Sequence, residues 1–204
     1  KTTFLNLLIN EIHQTERIVT IEDTLELSLK QPNIVRLESG EKGDVTLAKL
    51  STRDLVKNTL RMRPDRIIVG ESRGGEIFDL FQAMNTGHEG SMTSIHANSS
   101  AECLTRMETL YLLAGFDVPL LAVRKMMTQA IHFIVQISRN QNGDRVISEI
   151  MELTGMEGHT ITAHKIAEIQ EGQLVATGIA PKCFDRLHRQ GGLELEFFNN
   201  LSVS

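Results

Sequence analysis

Residues 60–75 read L-R-M-R-P-D-R-I-I-V-G-E-S-R-G-G. Pro64 ends any helix before it, because its ring disfavours the right-handed helical conformation at Arg63. Residues 66–69 then form a short β-branched run that is typical of a strand buried on both faces in a parallel sheet. Glu71 follows at the sheet edge where α/β proteins bind ligands. The stretch therefore predicts a carboxylate at a ligand-binding edge, although a Glu that merely caps the next helix fits the same pattern.

Strand and helix signals alternate on both sides of this stretch. Apolar residues at helical spacing indicate that the chain begins at the N-terminus of a helix. Further strands are predicted at residues 17–21, 34–38 and 91–96, a loop at 39–44, and helices after Ser51, Gly75, Ser99 and Pro119. This alternation predicts an α/β fold with a parallel sheet.

The last third of the chain has a different pattern. Strand signals at residues 131–138, 145–153 and 160–169 are separated by turn residues that include Asn142-Gly143, which predicts an antiparallel meander. A short helix and a frayed tail are expected after Pro181. The expected fold is therefore an α/β core with C-terminal antiparallel strands.

Composition narrows the function. The 204-residue chain has a net charge of −5 and no basic run, which argues against a nucleic-acid-binding surface. Its two cysteines have neither metal-ligand nor disulfide spacing, so a reducing compartment is expected. No apolar run approaches the length of a membrane span, and no signal peptide is expected.

Three further groups of residues have chemical meaning in combination. Lys1, Thr2 and Thr3 would complete a G-x-x-x-x-G-K-T phosphate loop if a strand and a glycine loop preceded them. The acids at positions 22, 23 and 26 follow a strand and could bind a hydrated cation, although alone they read better as a solvated turn. His88 and His96 are disfavoured as metal ligands, because no matching Cys or His set accompanies them.

Taken in this order, the blocks resemble the type II/type IV secretion ATPase superfamily. Residues 1–3 are similar to the end of its Walker A loop, and R-I-V-T-I-E-D-T-L-E-L at 17–27 is similar to its acidic box. Residues 60–74 look like its atypical Walker B, and M-N-T-G-H-E-G-S-M-T-S-I-H-A-N-S at 84–99 looks like its histidine box. E-L-T-G-M-E-G at 152–158 resembles the tight-adherence (Flp) pilus assembly ATPases of CpaF/TadA type, the branch expected to be nearest.

This resemblance implies a domain organisation. Residues 1–170 would be a C-terminal RecA-like P-loop ATPase domain that lacks its first strand and glycine loop. Residues 171–204 would add a strand, a short helix and a tail. Since the chain starts at Lys1 rather than Met, we expect a fragment or a processed product. By itself it should bind ATP and Mg²⁺ weakly, show no ATPase activity, and self-associate at an open sheet edge.

The resemblance also implies a role for each matching residue. Glu71 would polarise the attacking water and His96 would sense the γ-phosphate, although a backbone-satisfied strand-end histidine is the alternative for His96. The remaining implied catalytic residues are Glu22 and Arg73. The implied ATP contacts are Lys1, Thr2, Thr3, His88, Arg61 and Arg63, with the arginines as alternative contacts to a neighbouring subunit. The implied Mg²⁺ ligands are Thr2, Glu22 and Asp23, with Glu26 adding charge nearby and Gly70 standing where most P-loop ATPases keep an Asp.

The implied whole protein is a cytoplasmic ATPase that is peripheral at the inner membrane. It would drive Flp or type IV pilus assembly, or protein secretion, as a homo-oligomeric and typically hexameric ring. Its expected partners are inner-membrane platform proteins, without nucleic acid. Two alternatives remain open, which are a DNA-translocating motor of a conjugative type IV system and a fragment that associates without hydrolysing ATP.

Overall fold

The computed structural model describes residues 1–40 and 50–199, so the part of the predicted loop at 41–44 and the predicted tail at 200–204 lie outside the described residues. Two compact units divide the chain. The first comprises residues 1–96 and 105–118, and the second comprises residues 97–104 and 119–204. Each unit contains one four-stranded sheet.

The first unit is built on a parallel sheet with the strand order β2-β1-β3-β4. Its strands are β1 (Ile18–Glu22), β2 (Ile34–Glu38), β3 (Arg66–Val69) and β4 (Met92–Thr93). All five residues of β1 are buried, as expected for a central parallel strand covered on both faces. The predicted parallel sheet is therefore confirmed, and its first three strands lie within one residue of their expected bounds.

Helices cover both faces of this sheet. On one face α1 (Thr2–Asn10) packs Leu5 and Ile9 into a cluster with residues of β1 and β3. On the other face α2 (Thr52–Thr59) and α3 (Glu76–Met84) supply Leu55, Val56 and Leu80 to a second cluster. Ser51 caps α2 through a reciprocal capping box with Asp54, which satisfies two backbone donors at the helix start.

Two local conformations differ from the expectation. Arg63 adopts the left-handed conformation at φ 52° and ψ 54°, rather than the extended one that a following proline favours. It closes the 3-10 helix Leu60–Met62 that continues α2. The strand expected at 91–96 is only two residues long. Just beyond it, the Ser94 hydroxyl donates to the Gly70 carbonyl at 2.7 Å.

The second unit carries a separate antiparallel sheet with the order β5-β6-β7-β8. Its strands are β5 (Phe133–Arg139), β6 (Arg145–Glu157), β7 (Thr160–Gln170) and β8 (Gln173–Ala176). The β6–β7 register shifts between Leu153 and Gly155, and Gly155 has a φ of +135°, a conformation open mainly to glycine. The predicted meander is confirmed, and the block at 152–158 forms its bulged corner.

The remaining helices are α4 (Ser100–Leu113), α5 (Leu120–Ala130), α6 (Phe184–Gly191) and α7 (Glu196–Asn199). In the second unit α5 packs on β6 and β7. None of the helices in the described parts of the chain combines the length and the apolar character needed to cross a membrane. The expected domain boundary near residue 170 stays a prediction.

Candidate active site

Three ionisable side chains meet just beyond the C-terminal ends of β3 and β4. The Glu71 carboxylate contacts Arg73 Nη2 at 2.6 Å through Oε2 and His96 Nε2 at 3.0 Å through Oε1. The Glu71 side chain is 20% exposed, whereas Arg73 and His96 are 64% and 76% exposed. A half-sheltered carboxylate therefore lies between two accessible nitrogen groups, at the edge of a parallel sheet where ligands bind.

Contacts with two neighbouring carboxylates hold the loop that carries Glu71 and Arg73. The buried Glu76 carboxylate accepts hydrogen bonds from the backbone N–H groups of Arg73 at 2.6 Å and Gly74 at 2.8 Å. Asp23, at the end of β1, pairs with Arg73 Nη1 at 3.6 Å and accepts the Ser39 hydroxyl at 3.0 Å. The guanidinium thus bridges two carboxylates from neighbouring strands.

The start of α1 lies at the same edge. The Lys1 ammonium donates to the carbonyl of Ile95, the residue before His96. The Thr2 hydroxyl lies 3.4 Å from Glu26 Oε2, and the Thr3 side chain is exposed. Free N–H groups and the helix dipole make this helix start favourable for an anion. Lys1 and Thr2 are therefore brought to the Glu71 edge.

Glu22 has a different environment from its acidic neighbours. Its side chain is 4% exposed, and Oε2 accepts the backbone N–H groups of Glu26 and Leu27, both at 2.8 Å. Its other oxygen faces Arg36 Nη2 at 3.3 Å. A buried carboxylate with these donors holds the following turn in place. Its catalytic and metal-binding roles stay predictions, and the geometry favours a structural role.

Electrostatics keep Glu71 ionised. The Arg73 guanidinium hydrogen-bonded to it holds the pKa of the Glu71 carboxyl below its usual value of 4.5. Partial burial opposes this shift, while the positive charges of His96 and Lys1 add to it. Opposite charge and donated hydrogen bonds both favour the carboxylate form. The group is therefore an anion at neutral pH, as a base or a water-polarising group must be.

Three of the sequence-predicted ATP contacts lie at the opposite edge of the sheet. Arg61 and Arg63 precede β3, and both are exposed. His88 precedes β4, and its Nδ1 is 3.0 Å from the carbonyl of Ala83 near the end of α3. Because β3 is four residues long, the two edges are roughly 10–13 Å apart. The structure does not bring these three residues to Glu71.

Two residues that help to hold this site were not identified as site residues from the sequence. Glu76 is predicted there only as part of a helix start, yet its side chain holds the loop after β3. Ser72 is buried, and its hydroxyl is 2.8 Å from that of Thr93. An acid three residues beyond Arg73, at a helix start, was an available signal for Glu76. No signal in the sequence distinguishes Ser72 from a solvated serine. Among the residues that the structure describes, no group of three or more His, Cys, Asp or Glu side chains could hold a metal ion.

Comparison with known proteins identifies the family. The model of the family described as "Type II/IV secretion system protein" matches residues 1–175. The chain belongs to this family. It is 39% identical over 158 residues to a Mycobacterium tuberculosis protein named provisionally as a conjugal transfer protein, an alignment that covers 78% of this chain and 44% of the relative.

Two further similar proteins, one of them a solved structure, support the same family. The conjugal transfer protein TrbB of Rhizobium radiobacter is 35% identical over 179 residues, which cover 86% of this chain and 52% of TrbB. The crystal structure of the Brucella suis VirB11 ATPase in complex with sulphate superposes with a TM-score of 0.65 at 32% identity, over 73% of this chain and 44% of VirB11. The fold is thus RecA-like, as expected. The chain spans about half the length of the curated relatives that it matches.

Proposed function

We propose that this chain is the catalytic part of a secretion-system ATPase, and that the whole protein hydrolyses ATP. The observation that carries the proposal is the position of Glu71, an ionised carboxylate held between Arg73 and His96 beside the start of α1. Family membership supports it, as does the likeness to a VirB11 ATPase. The Brucella suis VirB11 structure is a complex with sulphate, which fits an anion-binding site in that fold.

Each residue of the cluster has a role in this proposal. Glu71 orients the attacking water and accepts its proton. Lys1 binds the phosphates, while Arg73 and His96 stabilise the charge on the transferring phosphoryl group. These groups lie on three separate segments, which the parallel sheet brings to one edge. Arg73 and His96 are 64% and 76% exposed, so both are accessible to a phosphate.

The residues present fit a nucleotide-bound Mg²⁺ only in part. Glu22 and Asp23 have their oxygens engaged by backbone, hydroxyl or guanidinium donors. The Thr2 hydroxyl and the Glu26 carboxylate face each other at 3.4 Å and would hold the ion, since Mg²⁺ in such sites takes few protein ligands and several waters. Bound there, Mg²⁺ would neutralise phosphate charge.

The assembly is part of the same proposal. A homo-oligomeric ring, typically hexameric, that works with inner-membrane platform proteins on the cytoplasmic side accords with the family. Arg61 and Arg63 then serve a neighbouring subunit rather than the ATP of their own chain, because they lie at the far edge of the sheet. The net charge of −5 argues against direct contact of this chain with nucleic acid.

Two kinds of transport system are proposed as the one that this ATPase drives. The names of the relatives from M. tuberculosis and R. radiobacter favour a conjugative type IV system. The block at residues 152–158 favours Flp pilus assembly of the CpaF/TadA type, yet its Gly155 already has a structural reason in the β6 bulge. We therefore rank the conjugative system first. Deletion of the gene should abolish plasmid transfer in a mating assay; loss of surface pili with normal transfer would reverse the ranking.

A binding experiment tests the site. In the whole protein that contains this chain, Lys1→Ala should weaken binding of a non-hydrolysable ATP analogue with Mg²⁺ at least about tenfold, because a charged phosphate contact is lost. Lys57→Ala is the matched control, since Lys57 is an exposed lysine on α2. Isothermal titration calorimetry measures both. Equal affinities for the two variants would overturn the site.

A further inference from the structure

The regular pairing between β3 and β4 stops before the catalytic cluster. Only two residue pairs form the ladder, Ile68 with Met92 and Val69 with Thr93. Glu71 and His96 lie two and three residues beyond the last pair. Because both lie in the loops that follow the two strands, their spacing depends on the contacts that hold these two loops together beyond the ladder.

Beyond the end of the ladder, two serines make the hydrogen bonds that join the two segments. Ser94 Oγ donates to the Gly70 carbonyl at 2.7 Å, and the backbone N–H of Ser72 donates to the Ser94 carbonyl at 2.9 Å. Glu71 lies between Gly70 and Ser72 in the chain, so these two hydrogen bonds bracket it. On the β4 side both bonds converge on Ser94, two residues before His96.

We propose that Ser94 is a positioning residue, whose hydroxyl bond to the Gly70 carbonyl sets the distance between Glu71 and His96. The proposal rests on the proposed function, because the Glu71–His96 pair matters only if that edge of the sheet hydrolyses ATP. It assigns Ser94 no contact with nucleotide. Ser94 acts through the backbone of the loop that follows β3.

The same strand provides a matched control. Ser91 precedes β4, and its hydroxyl makes two hydrogen bonds, donating to the His88 carbonyl at 2.8 Å and accepting the backbone N–H of Ile67 at 2.9 Å. Both serines are half-buried. Ser91 therefore joins the same two strands at the edge away from Glu71, and its removal should cost at least as much stability as removal of Ser94.

Steady-state kinetics of the whole protein test the proposal. Ser94→Ala should lower kcat about tenfold and leave KM for ATP unchanged, since misplacement of a catalytic pair by a fraction of an ångström affects the reaction more than binding. Ser94→Thr keeps the hydroxyl and should recover most of kcat. Ser91→Ala should keep a normal kcat. Equal kcat losses in Ser91→Ala and Ser94→Ala, with no recovery in Ser94→Thr, would overturn the proposal.

A double substitution separates positioning from a general loss of order. In a His96→Ala background the further change Ser94→Ala should have no effect on kcat, because the pair that Ser94 positions no longer exists. Multiplied losses would indicate that Ser94 acts elsewhere and would overturn the proposal. If Ser94→Ala does not fold, Ser94→Cys keeps the size with a weaker donor and enters the same comparison.

Crystal structures give a readout that does not depend on activity. The separation of Glu71 Oε1 and His96 Nε2 is 3.0 Å, and in Ser94→Ala it should exceed hydrogen-bonding distance while Ser91→Ala keeps it. An unchanged separation in Ser94→Ala would overturn the proposal. A wild-type protein without ATPase activity, but with the expected change in separation, would refute the proposed function and leave the positioning role of Ser94 intact.

Discussion

The two edges of the parallel sheet use similar charged residues in different ways. At the edge before the strands, Arg66 makes a two-pronged pair with Glu16 at 2.5 and 2.9 Å, and its third nitrogen donates to the Gly90 carbonyl at 3.4 Å. At the edge after the strands, Arg73 is shared between Glu71 and Asp23, and Glu71 is shared with His96. The two-pronged pair stabilises the fold, whereas the shared network has contacts that a ligand can replace. The difference supports the proposed placement of the chemistry at the second edge.

The largest expected effect is at the shared network. Glu71→Gln should lower ATP hydrolysis by about 10²–10⁴-fold, because the amide cannot accept a proton from water. Binding of an ATP analogue should stay near the wild-type value, since the phosphates contact other groups. Phosphate release measures the first quantity and calorimetry the second. Turnover close to that of the wild type would contradict the catalytic assignment of Glu71.

The second effect concerns stability at the same edge. Glu22→Ala should lower the free energy of unfolding by about 2–3 kcal/mol, because the backbone donors of Glu26 and Leu27 lose a buried acceptor. Glu38 is its register partner on β2 and is exposed, so Glu38→Ala should change stability by less than about 0.5 kcal/mol. Urea denaturation compares the two variants. A similar small change in both would show that Glu22 is not a structural anchor.

A pair of histidines compares the two edges directly. His96→Ala should lower kcat about tenfold or more, because it removes a group beside Glu71 that can stabilise phosphoryl charge. His88→Ala should mainly affect stability, since His88 contacts the end of α3 at the far edge. The measurement is kcat per folded protein, with unfolding followed in parallel. Loss of kcat in His88→Ala with full stability would mean that the far edge takes part in catalysis.

The smallest effect is a pH dependence of stability. The folded-state pKa of Glu71 lies below its usual 4.5, so its contribution to stability is present above about pH 4.5 and is lost as the pH falls through the folded-state value. Arg73→Gln should remove most of this contribution. The resulting loss in the free energy of unfolding should be less than about 1 kcal/mol, because Arg73 is 64% exposed. The stability difference from the wild type should therefore exist at pH 7 and vanish in acid.

Denaturation at several pH values measures this difference. Arg61→Gln is the control at the other edge, where the arginine is exposed, and it should show no such dependence. A difference between wild type and Arg73→Gln that persists unchanged at low pH would show that Arg73 stabilises the loop without acting on Glu71.

Sequence patterns predicted the strands better than the site. Runs such as Arg66–Val69 are mostly β-branched and apolar, and such a run is typical of a central parallel strand that is buried on both faces. The strand at 91–96 was predicted too long: the regular strand is Met92–Thr93, and beyond it the Ser94 hydroxyl bonds the neighbouring loop. Strand propensities of single residues do not show where side-chain hydrogen bonds compete with backbone hydrogen bonds.

The roles of the acids were harder to predict for a geometric reason. Three carboxylates in five residues look equivalent in the sequence, but Glu22 is 4% exposed while Glu26 is exposed. Their directions depend on the turn that Glu22 itself holds. Arg61 and Arg63 are separated from Glu71 by the length of β3, because residues before and after a strand lie at opposite sheet edges. Their contacts to ATP or to a neighbouring subunit stay predictions.

The buried Glu76 carboxylate, which binds the backbone of Arg73 and Gly74, has a consequence for mutational scanning. Glu71 and Glu76 would both tolerate few substitutions in a growth-based screen, and the screen alone would count two catalytic acids in E-S-R-G-G-E. Protein abundance would separate them. Variants at position 71 would accumulate as intact, inactive protein, whereas variants at position 76 would be depleted from the soluble pool.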